Sequence, residues 1–138
     1  MSFIKNLYTT KVMNADWVAL ILRIIGGGFM LTHGYPKLMK LLSGDLEFGD
    51  PIGLGVGPSL FLTVFAEFFC GLLLLLGLGT RLASIPLFIT MFVASFIVHG
   101  NDAFGIKEKA LMYLLIYLAL FLFGGGKYSI DNLIKRKP

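Results

Sequence analysis

Apolar residues along this chain gather in four blocks, at about residues 17–36, 59–79, 82–99 and 109–125. Each is close to the roughly 20 residues that an α-helix needs to cross a bilayer, and a slightly short block is accommodated by thinning or snorkelling. The first opens after Asn14 and Asp16, either of which fits an N-cap, with Trp17 at the level of the interfacial belt; it is expected to close near Pro36 and Lys37. The second follows the GDPIGLGVGP stretch and ends at Gly77, Gly79 and Thr80. A tight turn containing Arg81 is all that separates it from the third, so these two are antiparallel neighbours. Pro86 lies near the start of the third, where it removes at most one backbone hydrogen bond. The fourth begins at KEKA and stops at Gly124, Gly125 and Gly126, a C-terminal signal. The pattern predicts an all-α, polytopic integral membrane protein: one domain over residues 1–138, built as an antiparallel four-helix transmembrane bundle. A variant with blocks two and three as a buried hairpin that does not cross is disfavoured, because both are long enough to span.

Composition agrees with lipid as the solvent. The chain is 57% hydrophobic and 14% charged, with mean hydropathy +0.83, which a soluble fold of this size cannot hide. The net charge of +4 comes from basic residues scattered among apolar blocks, with no continuous patch for nucleic acid. Cys70 is the single cysteine, so there is no internal disulfide framework. The first block is not followed by a small-residue cleavage site and reads as a retained helix.

Orientation follows from counting Lys and Arg over the short loops. The side with both termini and the Arg81 turn carries seven: Lys5, Lys11, Arg81, Lys127, Lys135, Arg136 and Lys137. The other side carries four: Lys37, Lys40, Lys107 and Lys109. Both termini are therefore expected in the cytoplasm, in a multi-pass protein of the inner (plasma) membrane. The basic tail with Lys127 reads first as an orientation signal, and second as a cluster for anionic headgroups.

An ionisable side chain at the centre of a spanning helix costs about 2.5 to 3.5 kcal/mol on insertion scales, so it asks for a partner, water or a function. At 100° per residue, Arg23, Gly26, Met30, His33 and Lys37 share one face of the first helix. On the second, Thr63, Glu67, Cys70, Leu74, Gly77 and Arg81 form a stripe; on the third, Ser84, Phe88, Met91, Ser95 and His99 do so. The fourth offers Lys109, Tyr113 and Ile116, with Glu108 adjacent. Four such faces enclose one polar interior. From the helical rise, Arg23 and Glu67 differ in depth by about 9 Å, near the limit of what two long side chains close. An Arg23 to Glu67 pair is thus allowed but not required.

The candidate pocket comprises Arg23, His33, Lys37, Glu67, His99, Glu108 and Tyr113, weighted toward the outer half of the bundle. Its bland counterpart is a neutralised pair that fixes helix register, with two ordinary interfacial histidines. There is no close-spaced His or Cys pair and no CxxCH, so no metal or haem site is expected. The first and third helices both end in His-Gly, at His33-Gly34 and His99-Gly100, a faint internal echo. The loop from Ser43 to Pro58 mixes Asp45, Glu47 and Asp50 with Ile52, Leu54 and Val56, and reads equally as a lid or as a connector.

Taken in order, Arg23, FMLTHGYPKL (29–38), AEFFCGLLLLLGLGTRLA (66–83), MFVASFIVHG with His99, and EKALMYLLIYLALFLFGGGKYSID resemble the DoxX family of small four-helix membrane proteins. The resemblance covers nearly the whole chain. The HGYPKL end of the first helix and the E-x3-G-x5-G-x-G-T-R-x-A stretch carry most of it. It implies similarity to the small subunit of an archaeal thiosulfate:quinone oxidoreductase and a link to membrane redox and thiol-stress complexes. It brings no set of catalytic residues, so the site assignment rests on the polar faces. The leading expectation is a subunit of a quinone-linked or thiol-linked redox system, with no tightly bound cofactor of its own and a quinone as the candidate ligand, working beside a partner protein in the membrane lipids. The alternative class is a non-enzymatic scaffold or a lipid or small-solute binding protein, with solute transport third. Helix faces rich in Phe and Leu also allow a homo-oligomer.

Overall fold

The computed structural model describes residues 2–136. Lys137, one of the seven cations counted above, lies outside them. The elements are α1 (Ser2–Leu7), α2 (Ala15–Leu42), α3 (Val56–Leu76), α4 (Thr80–Val98), α5 (Phe104–Phe123) and α6 (Ile130–Lys135). No strand occurs among the described residues. Three helices, α2, α3 and α4, are long and apolar enough to cross a membrane. The fourth long helix, α5, has 20 residues, but Lys107, Glu108 and Lys109 fall inside it.

Each boundary has a local cause. Asn14 is the cap of α2, its side chain accepting from the Trp17 N–H at 3.1 Å. The helix does not close at Pro36 but runs six residues further, to Leu42. Pro36 removes one donor; in a membrane helix that loss is absorbed locally. Beyond it, Lys37 is fixed to α3 by an ion pair. α3 ends in a Schellman turn: Gly77 is left-handed (φ 72°), its N–H donates to Leu74 O at 3.1 Å, and the Leu78 N–H donates to Leu73 O at 2.9 Å. A second left-handed glycine, Gly79, then starts α4. α5 begins at Phe104, five residues before the expected 109, so Lys107, Glu108 and Lys109 lie within its first two turns.

Contacts between the helices fix the topology. Against α3, residue 23 of α2 meets residues 74 and 75, residue 27 meets 71, and residue 34 meets 67, so the two run antiparallel. Arg81 at the start of α4 reaches Phe121 and Leu122 at the end of α5. Tyr117 of α5 donates to Gly26 O of α2 at 2.8 Å, and Tyr113 meets His33. The four long helices thus close into one up-and-down bundle. Its core includes Met30, Leu74, Leu87, Tyr117 and Leu120, while Phe and Leu side chains such as Phe61, Leu82, Leu115 and Leu122 stay exposed, as lipid solvent requires.

Two small-residue contacts set the α2–α3 spacing. A Cβ on Gly27 would lie 2.6 Å from Gly71 O, and one on Gly34 would lie 2.6 Å from the Glu67 carbonyl carbon. The backbones touch there, which only glycine permits. Three stretches are π-helical: Ile24–Phe29, Phe65–Cys70 and Ala94–Val98. Each widens one turn and shifts the register of the residues after it, a feature common where helices carry function.

Candidate functional site

The two ends of the bundle hold different polar arrangements. At the end with both termini, Arg23, 2% exposed, donates to four carbonyls: Leu74 at 3.0 Å, Leu75 at 2.7 Å, Gly125 at 3.2 Å and Tyr128 at 3.0 Å. Those of Leu74 and Leu75 are in the last turn of α3, where helical carbonyls run out of i+4 donors; Leu74 O also accepts from the Gly77 N–H of the turn. Asp131 accepts the N–H groups of Gly79 at 2.7 Å and Thr80 at 2.9 Å, capping α4. Burial pushes the Asp131 carboxyl up, but these donors and the nearby Arg23 charge outweigh it, holding it below the usual value. Asp16 accepts the Lys127 N–H at 2.8 Å, tying the start of α2 to the segment after α5. The LGLGTR and GGGKYSID motifs therefore build a latch.

At the loop end, Lys37 Nζ donates to Glu67 Oε2 at 2.5 Å, with the Glu67 side chain 6% exposed and that of Lys37 30%. Glu67 comes from the π-helical turn of α3. Around the pair lies a chamber of about 150 Å³ lined by His33, Lys37, Glu67, His99, Lys109 and Tyr113. The His33 ring stands edge-on to Tyr113 with centroids 6.1 Å apart, and Tyr113 stacks on Tyr117 at the same separation. At the mouth, His99 Nδ1 lies 2.8 Å from Asp102 Oδ2.

Lys37, Glu67 and His99 also line a second space of about 450 Å³, walled by Ile89, Val93 and Val98 of α4 and by Phe48, Ile52 and Leu54 of the 43–55 loop. The loop is folded over this cleft and held by Ser59 Oγ donating to Asp50 Oδ1 at 3.1 Å and by a Lys40–Asp45 pair at 3.1 Å. The Glu47 N–H and then Lys40 hold the Asp45 carboxyl below its usual value.

Of the seven residues singled out above, five meet at this chamber: His33, Lys37, Glu67, His99 and Tyr113. Arg23 lies at the opposite end, bound to carbonyls and not to Glu67, whose partner is Lys37. Glu108 is exposed and does not line the chamber; its neighbour Lys109 does. Two features have no clear signal in the residue pattern, and a third, Lys109, has one that the candidate list leaves out. Asp102 sits just past the His-Gly echo, the loop's apolar residues fit a connector as well as a wall, and Lys109 was on the polar stripe but overshadowed by the acid beside it.

Helices with lipid-facing sides, a closed interior and an ion pair at one end define a multi-pass α-helical membrane protein. The particular family follows from comparison: the DoxX family profile matches residues 18–100, more than half of the chain, and the chain belongs to that family. It is 32% identical over 127 residues to an uncharacterized protein of Haemophilus influenzae, covering 84% of this chain and 90% of the relative. It is 30% identical over 126 residues to the inner membrane protein YqjF of Escherichia coli, covering 88% and 95%. No solved structure gives a significant match. The family, the YqjF similarity and the three apolar helices place the chain in the inner membrane as a multi-pass protein.

Proposed function

We propose that the chain is the membrane subunit of a quinone-linked redox system, with the quinone headgroup received at Lys37, Glu67 and His99. All four long helices cross in this reading, and both termini face the cytoplasm. The 20 residues of α5 rise about 30 Å, and its Lys107, Glu108 and Lys109 lie within two turns of the loop end, where they snorkel. The excess of Lys and Arg on the side of the termini supports the same orientation.

The observation that carries the proposal is the position of the Lys37–Glu67 pair, which forms a common wall of the polar chamber and of the apolar cleft. An amphipathic ligand needs both surfaces together: polar groups for its head and an apolar slot for its tail. The residues present fit a quinone on that ground. A bound quinone would supply two-electron, two-proton acceptor chemistry, the electrons coming from a dithiol or other two-electron donor on a partner protein. Cys70, the chain's single cysteine, is 2% exposed and packs in the core, so the chain has no dithiol of its own. Lys37 Nζ donates a hydrogen bond to a carbonyl-type oxygen, and Glu67 balances its charge. His99, oriented by Asp102 at the mouth, moves protons between the chamber and water.

The test uses purified full-length protein. A quinone in its native lipid extract, or a rise in melting temperature on adding decylubiquinone that Glu67→Gln abolishes, supports the proposal. If neither is seen, and Glu67→Gln only lowers the melting temperature, the pair is a structural element of a non-enzymatic scaffold.

A further inference from the structure

At the opposite end of the bundle, independent of the quinone proposal, lies a wider groove of about 660 Å³ between the start of α4, the Gly124–Gly126 turn and α6. Four exposed cations line it: Arg81, Lys127, Lys135 and Arg136. The two carboxylates in its wall are already committed. Asp131 accepts from the Gly79 and Thr80 N–H groups and Asp16 from the Lys127 N–H. Arg81 spends Nε and Nη2 on the Phe121 and Leu122 carbonyls, at 3.0 and 3.4 Å, and its Nη1 makes no hydrogen bond among the described residues.

A second, independent feature points to a ligand. Thr80 lines the groove and is 1% exposed, and its Oγ1 lies beside the Asp131 carboxylate without a hydrogen bond of ordinary geometry among the described residues. A buried hydroxyl left unpaired costs free energy that a ligand acceptor would return. The groove lies where α3 and α5 end and α4 begins, beside the Trp17–Tyr128 ring pair, whose centroids are 5.5 Å apart. That is the level at which lipid headgroups sit. The positive end of α4 adds to the field.

We infer that this groove is a binding site for a phosphate oxyanion, with Thr80 Oγ1 and Arg81 contacting its oxygens and Lys127, Lys135 and Arg136 supplying the surrounding positive charge. The phosphate has two sources, an anionic phospholipid headgroup or a soluble phosphate.

Trp17, the chain's single tryptophan, is the natural reporter. Its fluorescence would be followed while dioctanoyl phosphatidylglycerol, dioctanoyl phosphatidylcholine or inorganic phosphate is titrated into the full chain in neutral detergent. Saturable binding of phosphatidylglycerol well above phosphatidylcholine assigns the site to an anionic lipid; saturation by inorganic phosphate assigns it to a soluble ligand. In either case the double variant Lys127→Gln/Lys135→Gln weakens binding on the order of 25-fold, about fivefold for each cation near the surface. Thr80→Val weakens it about fivefold, the loss of one neutral hydrogen bond. No saturable binding of either phosphate ligand, or binding that both variants leave unaltered, overturns the inference.

Discussion

The two ends of the bundle handle buried charge in opposite ways. At the termini end, Arg23 and Asp131 are held by backbone groups: four carbonyls on one, two N–H groups on the other. Those backbone partners cannot leave, so the charges fix the chain. At the loop end the charge of Glu67 is held by one side chain, Lys37, which is part-exposed and has open space on two sides. A side-chain partner can swing away or share its hydrogen bonds. One end is a latch and the other is a site, although both use a single buried ionisable group from a spanning helix.

The comparison is broken most severely by Arg23→Leu. It takes the side-chain donor from four carbonyls at once, leaving those of Leu75, Gly125 and Tyr128 without it and that of Leu74 with the Gly77 N–H alone, and should destabilise the protein by about 4 kcal/mol, with loss of accumulation in the membrane as the readout. Next comes Gly34→Val, whose side chain would enter the α3 backbone at Glu67; about 3 kcal/mol of overpacking is expected in a thermal or denaturant melt. Glu67→Gln is milder, since the amide oxygen still accepts from Lys37, and about 1 to 2 kcal/mol is expected. A loss as large as that of Arg23→Leu would make the loop end a second latch.

Asp131 sharpens the contrast through pH. Its folded-state pKa lies below the usual value, so its stabilisation is fully present above the unfolded pKa and is lost as pH falls through the folded value, below about 4. Asp131→Asn should flatten that part of the acid limb of a melting-temperature profile and cost about 1 kcal/mol at neutral pH, as loss of a helix cap does. His99→Ala, at the open mouth, should change stability by less than about 0.5 kcal/mol.

Much of this was legible in the residues because spanning helices leave little freedom. Block length, glycine stops and the 100° stripes locate the four long helices, and the separate stripes carrying His33 and Lys37, Glu67, His99 and Tyr113 pick out groups that share one chamber. Arg23 falls in the same list because it shares the azimuth of His33 and Lys37, and backbone carbonyls are invisible as partners in a sequence. Pro36 reads as a stop in the sequence, but the ion pair beyond it is tertiary and the helix continues. The three π-helical turns have no composition signal of their own: IIGGGF, FAEFFC and ASFIV share no pattern.

The most direct test of the loop end as a ligand site is photolabelling of the full-length protein in native membranes with an azidoquinone, the labelled peptides being mapped by mass spectrometry. Label confined to residues 48–54 and 89–99 and removed by excess unlabelled quinone is the predicted result. Label spread evenly over the lipid-facing sides of the helices, unaffected by that competitor, would contradict it.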